Sequence, residues 1–139
     1  PPGAEPRHVG EITAERPVGQ KFVPGCTQLN AVWLRPATFE RENSAVYEFS
    51  LETQDQRELF RTAIPASQFP NNDMMRIDLG GVQVDPDKPV TFWVQSRGAA
   101  PGNAITLWRT PENKQPERMR AIVDGRPERY NLVFRAYGS

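Results

Sequence analysis

Ala45-Val46-Tyr47-Glu48-Phe49-Ser50-Leu51-Glu52-Thr53 alternates residue by residue. Tyr47, Phe49 and Leu51 fall on one side, and Glu48, Ser50 and Glu52 on the other. Side chains of a strand point alternately to its two faces, so this period of two predicts a half-buried antiparallel strand. Val90 to Arg97 repeats the pattern, with Val90, Phe92 and Val94 inward and Thr91, Trp93 and Gln95 outward. Leu29 to Arg35 sets Val32 and Leu34 against Ala31 and Trp33.

Outward from these three, further short apolar segments are divided by turn chemistry. Strands are expected over 9–13, 18–23, 58–64, 75–79, 104–110, 119–123 and 130–137, with Leu132 and Phe134 of the last on the core side. One short helical turn is expected over 66–69. Gly80-Gly81 ends one strand in this reading, while Asp85-Pro86-Asp87-Lys88-Pro89, 98–103, 111–116 and Asp124-Gly125 are turns or loops. Residues 1–8 read as a linker or disordered arm. The chain has 14 prolines in 139 residues, about twice the ordinary ~5 % share, and they leave no stretch for a long helix. About nine or ten strands spaced about 10–14 residues apart, with no strand–helix–strand rhythm, predict one all-β antiparallel sandwich over residues 9–139. A chain this long buries roughly two-thirds of its unfolded surface, enough for a core without disulfide staples.

Composition excludes several classes. Seventeen Lys and Arg balance 17 Asp and Glu. No basic stripe is present, so nucleic acid is not an expected partner. No run of about 18 apolar residues is present, so direct membrane insertion is not expected. The single Cys26 allows no intrachain disulfide and sits in no metal or redox motif. The chain opens Pro1-Pro2-Gly3 without an initiating Met, and it reads as a piece of a larger protein.

Three segments carry a resemblance. They are Val18-Gly19-Gln20-Lys21-Phe22-Val23, Gly102-Asn103-Ala104-Ile105-Thr106-Leu107-Trp108 and Tyr130-Asn131-Leu132-Val133-Phe134-Arg135-Ala136-Tyr137. In this order and spacing they resemble bacterial jelly-roll modules of the galactose-binding-like, carbohydrate-binding-module type. The resemblance implies a jelly-roll sandwich with a Gly-Gln-x-Phe edge strand and a Leu-Val-Phe-Arg closing strand. It also implies an extracytoplasmic location, periplasmic or at the cell surface, within a membrane-anchored or secreted protein. Some such modules sit beside glycosyltransferase-like or polysaccharide-processing segments. The shared motifs are structural and carry no ligand-binding residue across.

Catalysis is not expected. The one histidine, His8, falls in the expected arm, and a nucleophilic triad needs an imidazole held in a formed site. Zinc normally takes several His or Cys ligands, and the chain has one of each. Glycosidase chemistry needs only two carboxylates, but the acids lie mostly in turns or on polar strand faces. Asn71-Asn72-Asp73 and Asp85-Pro86-Asp87 are the segments acidic enough for a structural calcium, which jelly-roll modules resembling this chain often hold. Asx turns explain both segments without a metal, and no cofactor is expected.

The binding candidates are Trp33 with Arg35 and Trp93 with Gln95. Sugars stack flat C–H faces on aromatic rings, and a neighbouring amide or guanidinium fixes their hydroxyls. If Val32, Leu34, Phe92 and Val94 line the core, both indoles point outward beside those partners. An indole roofed by a loop or by the N-terminal arm is the plainer alternative for both, and Trp108 reads as core or sheet edge. The expected function is a non-catalytic accessory module that binds carbohydrate or spaces domains. The alternatives are a protein–protein interaction module anchored by Trp33 and Trp93, a small enzyme, and a pure spacer.

Overall fold

The computed structural model describes residues 7–112 and 117–139. They form an all-β sandwich in which every strand pairing is antiparallel. The strands are β1 (Arg7–His8), β2 (Val18–Phe22), β3 (Gln28–Leu34), β4 (Pro36–Ala37), β5 (Val46–Thr53), β6 (Glu58–Pro65) and β7 (Met75–Gln83). They continue with β8 (Val90–Arg97), β9 (Thr106–Glu112), β10 (Arg120–Val123), β11 (Arg126–Pro127), β12 (Tyr130–Leu132) and β13 (Phe134–Gly138). Three of the thirteen (β1, β4 and β11) are two-residue pairings. The expected helical turn is a 3-10 turn at Ala66–Gln68.

One layer is a six-stranded sheet in the order β11-β10-β2-β8-β5-β6. The other consists of two shorter sheets, β13-β3-β7 and β1-β9-β12, with β4 also on β9. These two are continuous through the chain. β4 follows β3 across Arg35, and β13 follows β12 across Val133. The backbone of Trp108 spans both breaks: its N–H donates to the Arg35 carbonyl at 2.9 Å, and its carbonyl accepts from Val133 N–H at 2.8 Å.

The alternating residues face the core as their period requires. Tyr47, Phe49, Leu51, Val90, Phe92 and Val94 are buried from one layer. Val32, Leu34, Ile77, Leu79, Leu107 and Leu132 are buried from the other. Phe49 and Phe92 stack at 5.3 Å between centroids. The half-buried Phe134 closes over Phe22 and Phe92 at 5.4 and 5.7 Å. Each such side chain contributes about 1.5–3 kcal/mol through burial.

Two polar side chains tie the layers together. Gln20 is fully buried on β2; its Oε1 accepts from Leu132 N–H at 2.8 Å and its Nε2 donates to Asn131 Oδ1 at 3.0 Å. The Tyr47 hydroxyl donates to the Ile12 carbonyl at 2.8 Å and accepts from Ile105 N–H at 3.0 Å. Burial pushes the Tyr47 phenol above its ordinary pKa, and the backbone bond from Ile105 pulls the other way.

Several expectations are corrected. Arg7 and His8 are not part of an arm: they pair with Arg109 and Trp108 of β9. The rest of that arm, residues 1–6, lies outside the described residues. Residues 9–13 make no ladder, although Val9 and Ile12 donate to the carbonyls of Leu107 and Ile105 at 3.0 and 2.9 Å. β2 is not an edge strand, because it lies between β10 and β8. β7 runs through Gly80 and Gly81, whose φ values of 68° and 88° let the register jump from Ala31–Asp78 to Leu29–Val82. β9 runs on to Glu112, into the expected 111–116 loop, whose residues 113–116 lie outside the described residues. The expected closing strand splits at Val133, and its two halves serve different sheets.

Candidate functional site

The outer face of the six-stranded sheet carries Trp93 and Gln95 together, as expected. Trp93 lies in register between Gly19 of β2 and Ser50 of β5. Its benzo ring covers Gly19 so closely that a Cβ there would come within 2.7 to 2.9 Å of Cε3, Cζ3 and Cδ2. Near-equal distances to three ring carbons mean that a ring face, not an edge, lies over Gly19. The indole is therefore laid along the sheet with its opposite face outward. Its Nε1 donates to Glu52 Oε1 at 2.9 Å, which fixes the ring in its plane.

A trough of ≈ 260 Å³ opens beside this indole, lined by Ser50, Glu52, Glu58, Arg61, Trp93 and Gln95, with Pro17 at its edge. Ser50 is on the polar side of β5, yet it is only 5 % exposed, since it forms the floor. Arg61 joins Glu58 at 2.6 Å and Glu48, while Arg97 joins Glu48 at 2.8 Å. The hydrogen bond to Glu58 leads in pushing the Arg61 pKa up. Fixed carboxylates, a guanidinium and the Gln95 amide thus border a flat apolar ring.

Trp33 and Arg35 do not form the expected pair. Trp33 sits on the outer face of the β13-β3-β7 sheet, directly between Arg135 and Arg76. A depression of ≈ 320 Å³ runs from it past Met74, Val133, Phe134 and Tyr137. Met74 and Tyr137 are exposed. Arg35 lies beyond the end of β3 and is drawn elsewhere: its Nε donates to the Asn72 carbonyl at 2.8 Å, and its guanidinium stands 5.0 Å from the Trp108 ring centroid.

That third tryptophan belongs to a corner the sequence did not reveal. Trp108, His8 and Phe39 come together, with His8 edge-on to Phe39 at 5.3 Å and 89° and to Trp108 at 6.2 Å and 78°. They line a depression of ≈ 300 Å³ with Glu40, Asn71 and Asn72. His8, Phe39, Asn72 and Trp108 are far apart in the chain and follow no common spacing. In the sequence Asn71-Asn72 reads as a turn, His8 as part of an arm and Trp108 as core or sheet edge, and none of these readings joins them.

In the two calcium candidates, one side-chain oxygen each of Asn71, Asn72 and Asp85 is taken by the backbone or by Trp108. Asn71 Oδ1 accepts from Thr38 N–H at 2.9 Å, and Asn72 Oδ1 accepts from Trp108 Nε1 at 2.8 Å. Asp85 Oδ1 accepts from Asp87 N–H at 3.0 Å, an Asx turn. Asp85 also borders a depression of ≈ 640 Å³ between the β5–β6 and β7–β8 turns. No aromatic ring lines that depression among the described residues.

No family model and no curated protein matches the chain. What it offers a ligand is therefore its own geometry, and the indole of Trp93, flat and ringed by fixed hydrogen-bonding groups, is the most built of the expected sites.

Proposed function

We propose that the chain is a non-catalytic carbohydrate-binding module of the galactose-binding-like, jelly-roll kind. It works extracytoplasmically as an accessory part of a larger membrane-anchored or polysaccharide-processing, glycosyltransferase-like protein. The observation that carries this reading is the Trp93 indole, laid over Gly19 with its free face outward beside Gln95, Glu52 and Arg61. A pyranose stacks its C–H face on such a ring, and the amide, carboxylates and guanidinium take its hydroxyls. The ligand is a cell-surface glycan or a nascent polysaccharide.

The test is a glycan array probed with the purified domain and with Trp93→Ala. Binding to one glycan class that the substitution abolishes supports the module and this site. No binding to any glycan sinks the sugar reading.

A second reading has its own observation. The exposed Met74 and Tyr137 and the half-buried Trp33 form an apolar surface flanked by Arg76 and Arg135, and Trp, Tyr, Met and Arg are enriched at protein interfaces. If Trp33→Ala lowers capture of a partner domain while glycans are ignored, the chain is a protein-interaction module instead.

A further inference from the structure

The corner formed by His8, Phe39 and Trp108 holds more backbone strain than the fold accounts for. Among the described residues, five that are not glycine have positive φ: Phe39, Glu40, Gln56, Asn72 and Asp124. Gln56 lies in the β5–β6 turn and Asp124 in the Asp124-Gly125 hairpin turn, where such angles are ordinary. The other three all line this one depression, and since Asn adopts such an angle readily, the strain lies at Phe39 and Glu40. Phe39 and Glu40, at 58° and 54°, are consecutive, closed by a hydrogen bond from Arg41 N–H to the Thr38 carbonyl at 3.4 Å. Asn and Gly suit such a turn, whereas a Phe-Glu pair is costly in it. Strain of this kind persists where the surroundings over-determine it, and it gathers at ligand sites.

The surroundings here are explicit. Arg41 donates to Glu11 at 2.7 Å and to the Ala104 carbonyl at 3.0 Å. Asn43 Nδ2 donates to the Thr38 carbonyl at 3.1 Å, and Asn72 N–H donates to the Pro36 carbonyl at 2.8 Å. Because the oxygens of Asn71 and Asn72 are already engaged, each amide turns its NH2 away from those bonds. His8 Nδ1 accepts from Gly10 N–H at 3.0 Å, so the neutral ring carries its proton on Nε2.

Charge narrows the ligand. A guanidinium already stands over each large ring, Arg35 over Trp108 at 5.0 Å and Arg41 over Phe39 at 4.7 Å. A second cation would be repelled there. The exposed Glu40 carboxylate on the rim repels an anion. A neutral ligand with a flat apolar face and several hydroxyls satisfies both conditions.

We infer that this corner is a second sugar site, which takes a neutral pyranose between the aromatic walls of His8, Phe39 and Trp108. The inference rests on the sugar reading above. The trough at Trp93 lies on the six-stranded layer, whereas β1, β4 and β9 of the corner belong to the other. The module is then bivalent and holds two stretches of glycan, one on each layer.

The test follows the indole N–H signals of the nitrogen-15-labelled domain, assigned with Trp33→Phe, Trp93→Phe and Trp108→Phe. The probes are neutral hexasaccharides of the gluco, galacto, manno, xylo and N-acetylglucosamine series, with a hexauronate and choline as charged controls. The expected result is that one neutral series moves both the Trp93 and the Trp108 signals. Phe39→Ala and His8→Ala, read separately in case one misfolds, then weaken the Trp108 response at least tenfold and leave the Trp93 response unchanged. Movement of Trp93 with a static Trp108 signal overturns the second site and leaves the first reading standing. Movement of Trp108 alone upholds this site and removes the trough. Response of Trp108 to the uronate or to choline in place of neutral sugars overturns the ligand class. If no sugar moves either signal, both readings fall.

Discussion

Gln20 Oε1 accepts a hydrogen bond from the backbone N–H of Leu132 at 2.8 Å, across the buried interior of the sandwich. The two residues are 112 positions apart. They belong to the first and last of the three segments that resembled the galactose-binding-like modules, and that bond gives those motifs a shared structural purpose: each supplies one partner of an inter-layer tie.

Gln20→Leu leaves the Leu132 N–H buried without a partner, and a stranded buried donor costs about 1–3 kcal/mol. Urea denaturation should show a lower midpoint with an unchanged slope. A variant as stable as the parent would mean that the tie contributes nothing.

Tyr47→Phe removes a hydroxyl that serves Ile12 and Ile105 at once, and it should cost about 1–3 kcal/mol. The same phenol makes stability depend on alkali. Its folded pKa lies above the ordinary 10.0, so the unfolded chain loses its proton first as pH rises. Above about pH 10 the unfolded state binds fewer protons, and stability falls. Tyr130, also raised by burial and then by Glu128, acts in the same direction. Denaturation curves from pH 9 to 11.5 should therefore fall less steeply with pH for Tyr47→Phe than for the parent.

Gly19→Ala places a methyl 2.7 Å from Cε3 of Trp93, so the indole must lift from the sheet. Overpacking of this kind costs about 1–3 kcal/mol. The tryptophan emission should shift to the red as the ring gains water, and glycan binding at the trough should weaken together with it. An unchanged emission spectrum would show that the ring does not depend on the missing side chain.

Glu40→Gly and Glu40→Ala separate strain from charge. Both remove the carboxylate, but only glycine is at ease at a φ of 54°. The glycine variant should be the more stable by about 1 kcal/mol in thermal or urea unfolding. Equal stabilities would remove the strain argument for the corner.

The sandwich was legible because its two central strands keep a clean period. Tyr47-Phe49-Leu51 and Val90-Phe92-Val94 are buried where alternation puts them. The closing segment was not, since Val133 carries the chain from one sheet to the other inside an unbroken apolar run. Gly80-Gly81 read as a stop because glycine pairs usually end strands, whereas here they form a bulge that β7 passes through. Trp93 with Gln95 was legible as one face of one strand. Trp33 with Arg35 was not, because the strand ends at Leu34 and frees Arg35 to turn toward Trp108. The corner was hidden for a different reason: its walls come from β1, the 38–41 turn, the Asn71-Asn72 turn and β9, and nothing local announces that they meet.

Among the described residues β1 pairs with β9 through Arg7 and His8, and His8 is the wall that stands between Phe39 and Trp108. So short a pairing opens locally at little cost. Tension on the chain at Arg7 would peel this strand away long before the sandwich itself yields, and the corner would lose one side. A sugar seated there would resist the peeling. Grip at the corner and mechanical load on the neighbouring chain would then be two readings of a single equilibrium.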